Sequence, residues 1–129
     1  AFSKCSSLIN ITIPDSVKEI GNSAFSDCSS LTNIIIPNTI TIINYYTFSY
    51  CPLLKNIIIP NSVTEIGEGA FYRCKLLTNI TIPKSVIKID RSAFGECSSL
   101  KSIKIPKNVT IDDDDNHSSF PISCKVKRE

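Results

Sequence analysis

Six cysteines, one histidine and a run of four aspartates are the side chains of this 129-residue chain whose types could do chemistry. A thiol beside an imidazole makes a nucleophile, thiolates in close pairs hold zinc, and clustered carboxylates hold calcium. The spacing argues against each. Five of the cysteines, Cys5, Cys28, Cys51, Cys74 and Cys97, recur every 23 residues, and no Cys-x-x-Cys pair occurs. The single histidine, His117, follows the acidic stretch and is remote from an inward cysteine row. That stretch, Asp112 to Asp115, has neither alternating Asp-x-Asp spacing nor a glycine turn to aim its oxygens at one point. A solvated loop is its plainer reading. The four glycines form no phosphate-cradling loop. No catalytic group, no metal and no cofactor are expected.

The constant interval points instead to a repeat. Phe2, Phe25, Phe48, Phe71 and Phe94 share the period, as do Leu8, Leu31, Leu54, Leu77 and Leu100. Two isoleucine columns run through Ile11, Ile34, Ile57, Ile80, Ile103 and Ile13, Ile36, Ile59, Ile82, Ile105, each unit then reaching a proline. Val17, Ile40, Val63, Val86 and Val109, then Ile20, Ile43, Ile66 and Ile89, complete the set. A fixed period of this length marks an array whose units bury their apolar face by stacking on neighbours. The adjacent cysteines are then better read as buried free thiols than as disulfides, because inward side chains stacked in parallel rarely reach the required torsion.

Within a unit, Asn10 to Ile13 alternates polar and apolar, the mark of a half-buried strand, and Pro14 ends it. Ser16, Thr39, Ser62, Ser85 and Asn108 place a small hydrogen-bonding side chain at the bend that follows. Gly21, Asn44, Gly67 and Asp90 share tolerance for left-handed backbone, which predicts positive φ in that column. The Ala-Phe-x-x-Cys stretch is expected to return across the far side as a short helical turn.

The string L-x-x-I-x-I-P-x-S-V-x-x-I-G-x-x-A-F-x-x-C closely resembles the BspA-type (Treponema-type) leucine-rich repeat. Ala70, Phe71, Cys74, Leu77, Ile80, Ile82, Pro83, Ser85, Val86 and Ile89 carry the likeness, which extends over about residues 1–111. It implies a β-rich α/β solenoid: a right-handed coil, one parallel sheet on the concave face, and short helical or 3-10 turns on the return. Five repeats would fill residues 1–111, and an acidic loop with a C-terminal cap residues 112–129. It also implies a non-catalytic binding or adhesion module, part of a larger cell-surface or secreted protein that contacts host or matrix proteins. A structural spacer or self-assembling scaffold, with recognition elsewhere in the parent protein, stays open beside it.

The candidate binding face follows from the alternation. Between the buried isoleucines, Asn33, Asn56 and Asn79 fall in one outward column, Ile35, Ile58 and Thr81 in the next, and Lys55 precedes them. Stacked amides can bond to one another or to a protein or glycan ligand. Ile35 and Ile58 have no core reason to be apolar and form the candidate anchor, although strand propensity also favours them. Tyr45, Tyr46 and Tyr50 depart from the repeat and make a second candidate patch, with space-filling as the alternative. Asn10, Asn79, Asn108 and Asn116 open Asn-x-Ser/Thr sequons, and glycans on the first two would obstruct the face. A net charge of +2 gives no reason to expect nucleic acid, and no apolar run is long enough for membrane insertion. The chain opens mid-motif, like a segment of a longer protein, so its uncovered first coil invites fraying or end-to-end homo-association. Residues 119–127, with Phe120 and an alternating Ile122 to Val126, are expected to cover the other end.

Overall fold

The structure, a computed structural model, describes residues 2–113 and 118–129. Its strands are short: β1 (Asn10–Thr12), β2 (Asn33–Ile35), β3 (Ile42–Ile43), β4 (Asn56–Ile58), β5 (Glu65–Ile66), β6 (Lys88–Ile89), β7 (Ser102–Ile105), β8 (Thr110–Ile111) and β9 (Lys125–Arg128). Every pairing between them is parallel. β1, β2 and β4 form one sheet, and bridges from Asn56 to Asn79 and from Thr81 to Lys104 carry the row on to β7 and β9. The register steps by one repeat each time: Asn10, Asn33 and Asn56 stand opposite one another. The chain is a β-solenoid.

A second parallel row, β3-β5-β6-β8, runs beside the first. One sheet was expected, and the surplus has a simple cause. Past the proline bend, the stretch ending in Ile43, Ile66 and Ile89 again alternates outward and inward, with each isoleucine fully buried. Two such residues per coil suffice to pair with the coils on either side.

The return side is not helical, which corrects the expected helical or 3-10 turns. From Ser23 to Asp27 the backbone N–H groups alternate in what they bond. Ser23, Phe25 and Asp27 donate forward to Tyr45, Thr47 and Ser49 of the next coil, while Ala24 and Ser26 close turns onto Gly21 and Ser23. A helix would need consecutive N–H groups to bond within their own coil. Here every second one is taken by the neighbour.

That alternation also relocates the left-handed residues. Positive φ occurs at Ser23, Tyr46, Gly69 and Ser92, and again at Lys4, Asp27, Tyr50, Arg73 and Glu96. The expected column of Gly21, Asn44, Gly67 and Asp90 has none. Gly67 answers to space instead: a Cβ there would lie 3.0 Å from the Ile43 carbonyl oxygen and the Tyr45 nitrogen.

The core is a set of aligned rows. The rings of Phe2, Phe25, Phe48, Phe71, Phe94 and Phe120 stack in sequence, with centroids 5.2–5.6 Å apart and planes within 15°. Offset stacking of this kind adds about 0.5–1.5 kcal/mol per pair beyond the area buried. Leu31, Leu54, Leu77 and Leu100 are fully buried beneath the first row, and Ile40, Ile43 and Ile66 beneath the second. Each such side chain contributes roughly 1.5–3 kcal/mol by leaving water.

The sixth ring keeps the row despite an altered spacing. Asp112 N–H donates to Ile89 as Asp90 does to Ile66, yet Ser119, which accepts from Phe94, lies seven residues on, where Ala93 lies three beyond Asp90. The detour contains the acidic run, and Asp113 closes it by accepting the Ser119 N–H at 2.6 Å. The following corner is shortened, so Lys125 returns opposite Ser102 in the register of the other coils. Asp114, Asp115, Asn116 and His117 lie outside the described residues. Val126 and Ile122 are exposed, so the anchor of this last segment is Phe120, together with β9.

The cysteines have a structural task that spacing did not disclose. Cys28, Cys51, Cys74 and Cys97 each donate their thiol to the carbonyl of Phe2, Phe25, Phe48 and Phe71 in the preceding coil, at 3.0–3.1 Å. All six cysteines are free. Burial pushes the Cys51 and Cys97 thiols up to about 12 and raises that of Cys74 well above the ordinary thiol range. The thiolate is the reactive form, so these groups are poor nucleophiles at neutral pH.

Iodoacetamide at pH 8 should therefore modify the half-buried Cys5 and Cys124 first. Cys74 should react no faster than the chain unfolds, as read by peptide mass spectrometry over time. Equal rates at Cys5 and Cys74 would contradict the inward thiol row.

Candidate interaction surface

The outer face of the first row is a grid set by backbone register. Along the coil axis one column runs Asn10, Asn33, Asn56, Asn79, Ser102, Lys125, and the next runs Thr12, Ile35, Ile58, Thr81, Lys104, Lys127. Rungs of such a sheet stand ~4.8 Å apart. The intervening Ile34, Ile57, Ile80 and Ile103 are buried, so both columns must point outward.

All the residues singled out on this face lie where the alternation puts them. Asn33, Asn56, Asn79, Thr81 and Lys55 are exposed, and Ile35 and Ile58 keep 62% and 83% of their surface in water. Two shallow depressions flank Ile58. Asn33, Ile35, Asn38, Asn56 and Asn61 border one, and Asn56, Asn61, Asn79, Thr81 and Pro83 border the other. No charged side chain lines either, and Lys55 stands apart from both. A neutral, amide-rich rim around two aliphatic side chains suits an uncharged ligand surface, since a charge brought there would lose its hydration without a partner.

The asparagine column is bonded at one end only. Asn33 Nδ2 donates to Asn10 Oδ1 at 3.1 Å, and Thr32 Oγ1 reaches the same oxygen. Among the described residues, no matching bond joins Asn33 to Asn56 or Asn56 to Asn79. The amides of the third and fourth rungs are left to solvent or to a ligand. Of the sequon residues, Asn10, Asn79 and Asn108 are exposed, and Asn116 lies outside the described residues.

The tyrosines divide into two groups. Tyr45 and Tyr46 meet edge to face with centroids 6.1 Å apart, and Tyr46 packs over the next coil. A Cβ on Gly69 would lie 2.3 Å from the Tyr46 ring, so the aromatic residue of one coil and the glycine of the next are matched. Thr47 takes the buried alanine slot and donates its hydroxyl to the Asn44 carbonyl at 2.7 Å. Space-filling thus accounts for Tyr46.

Tyr50 belongs with residues that the sequence reading passed over. Its ring meets Tyr72 at 5.7 Å, and the Arg73 guanidinium lies 5.4 Å from the Tyr50 centroid and 5.5 Å from that of Tyr72. Glu96 accepts from Arg73 Nε at 2.7 Å and from the Tyr72 hydroxyl. The hydrogen bond to Glu96 raises the Tyr72 phenol, and the same bond, then Arg73, lowers the Glu96 carboxyl. Tyr50, Arg73 and Glu96 stand 23 residues apart, so the period was the available signal.

Parallel coils at a constant step, with inward rows and a patterned outer sheet, define a repeat solenoid of the kind that carries surfaces rather than pockets. The chain matches the BspA type Leucine rich repeat region over residues 1–119, in six copies. It belongs to that family. Such solenoids are typically non-catalytic repeat modules and commonly serve as scaffolds for protein interaction; members are often surface or secreted proteins. No curated protein matches.

Solved structures agree with the fold. A leucine-rich repeat protein from Bacteroides ovatus is similar at 32% identity and TM-score 0.72, over 100% of this chain and 39% of its own. The T. pallidum leucine-rich repeat protein is 28% identical with TM-score 0.79, over 98% of this chain and 64% of its own. A leucine-rich cell surface protein from Faecalibacterium prausnitzii is 25% identical with TM-score 0.67, over 98% of this chain and 43% of its own. The chain therefore spans less than two thirds of each. Among the described residues, no helix is long and apolar enough to cross a membrane.

Replacing Gly69 with alanine should destabilise the domain by about 1–3 kcal/mol, because φ there is +61° and the Tyr46 ring occupies the space. Urea denaturation reads the change. Gly21→Ala, whose Cβ would meet nothing within 4 Å, is the control. Equal stabilities of the two variants would contradict the packing of Tyr46 over the next coil.

Proposed function

We propose that the chain is a non-catalytic adhesion module of a larger cell-surface or secreted protein, which contacts host or matrix proteins through the outer face of the first strand row. The observation that carries this reading is the pair Ile35 and Ile58, exposed at 62% and 83% on adjacent rungs of one outward column. An aliphatic pair in the open contributes nothing to its own core. Covered by a partner, each side chain contributes up to roughly 1.5–3 kcal/mol. Asn33, Asn56, Asn79 and Thr81 then supply orientation, and Lys55 stands at the margin. Tyr45 and Tyr50 offer a second contact area on the return side.

The commitment of the buried thiols of Cys51, Cys74 and Cys97 to phenylalanine carbonyls supports the non-catalytic reading. The family's usual place at the surface or outside the cell supports the location.

Biolayer interferometry against immobilised fibronectin, laminin and collagen tests the proposal. At least one should bind, and Ile35→Lys with Ile58→Lys should weaken it tenfold or more, while Val126→Ser does not. Undiminished binding by the double variant, or no binding to any of the three, would favour a spacer whose recognition lies elsewhere in the parent protein.

A further inference from the structure

The column that holds the isoleucine pair changes character along the coil axis. It reads Thr12, Ile35, Ile58, Thr81, Lys104, Lys127, one residue per rung, all on the outer face. Lys104 and Lys127 stand directly opposite each other on β7 and β9, with side chains 71% and 70% exposed. Like charges at opposed positions of neighbouring strands cost stability.

One carboxylate already answers them. Glu129 lies 3.9 Å from Lys104 Nζ and 3.4 Å from Lys127 Nζ. An anionic oxygen group thus fits between the two ammonium groups, but a pair so exposed gains little in water and is readily exchanged. Two cations share one anion, and Lys125 adds a third cation in the neighbouring column.

We infer that this column recognises an extended polypeptide segment laid along the coil axis, apolar at one end and acidic at the other. The inference rests on the reading of Ile35 and Ile58 as an anchor and adds the partner's charge and direction. Four rungs separate Ile35 from Lys127, ~19 Å at the spacing of a parallel sheet. Seven residues of extended chain, six steps of ~3.3 Å, span ~20 Å, and alternate side chains face the same way. A segment with two apolar residues followed by two acidic ones at alternate positions therefore matches the column. The Glu129 carboxylate occupies the place that the partner's acid would take. A sulfated glycan would satisfy the lysines but leave the isoleucines uncovered, which is why a polypeptide is favoured.

The probe is a fluorescein-labelled peptide, Thr-Leu-Thr-Leu-Thr-Glu-Thr-Glu-Thr, with a glutamine-for-glutamate version as control, read by fluorescence anisotropy at low and high salt. The acidic peptide should bind more tightly than the control and lose that advantage as salt rises. Lys104→Glu with Lys127→Glu should weaken it about tenfold at low salt. Glu129→Gln should strengthen it, since the competing carboxylate is gone. Circular dichroism checks that each variant folds. Glu129→Gln binding no better than the parent, or the lysine variant binding equally well, overturns the inference. So does heparin binding while the acidic peptide does not. If the lysine changes weaken the peptide but Ile35→Lys with Ile58→Lys does not, the apolar anchor fails and the acidic contact stands alone. If the isoleucine changes weaken it and the lysine changes do not, the anchor stands and the inference fails.

Discussion

Hydrogen bonding between coils at a fixed step of one repeat is the constraint on which the rest of this molecule depends. A coil in this form does not satisfy its own backbone, because its strands are only two to four residues long and pair with the coils on either side. Its N–H groups pair with the neighbouring coils along the strand rows, as when Thr32 donates back to Ile9 and Ile13 forward to Ile35, and forward with the following coil along the return. Buried backbone groups must be paired, so no coil can slip against its neighbours without breaking all three rows. The side chains inherit that register. Phenylalanine stacks on phenylalanine, thiol meets the same carbonyl in each coil, and Thr39 and Ser62 hand their hydroxyls to Val17 and Ile40 in the same way.

The coil that contains β8 and β9 meets the same needs with other residues. Arg128 Nη1 donates to the Val109 carbonyl at 2.8 Å, at the position where Thr39 and Ser62 serve the coils before it. Ser119 and Phe120 take the alanine and phenylalanine places after a longer detour. The same hydrogen-bonding needs are met by different residues, which is why period alone does not describe this coil. Ser85 Oγ, buried without a partner, breaks the hydroxyl series inside it.

Inward rows were legible from spacing because burial selects large apolar residues at fixed intervals. Outward placement of Asn33, Ile35, Asn56 and Ile58 followed from strand alternation. The return side was not legible. Ala-Phe-x-x-Cys has the local look of a helical turn, and only the neighbouring coil, which takes every second N–H, makes it otherwise. Beside Gly69 and Asp27, the left-handed sites fell on Ser23, Tyr46, Tyr50 and Arg73, residue types that carry no such signature. Lys127 joined the Lys104 column because a lengthened loop and a shortened corner cancel. The 23-residue step from Lys104 to Lys127 survives them. The result is a surface that varies from neutral and aliphatic to basic along one axis, over a core that hardly varies.

The central claim is that the return stretch is bonded across coils and not within them. Scalar couplings through hydrogen bonds, measured by NMR on labelled protein, test it directly. Phe48 and Phe71 nitrogens should couple to the carbonyl carbons of Ala70 and Ala93 in the following coil. Coupling of the Phe71 nitrogen to the Gly67 carbonyl, as in a helix, would contradict the account.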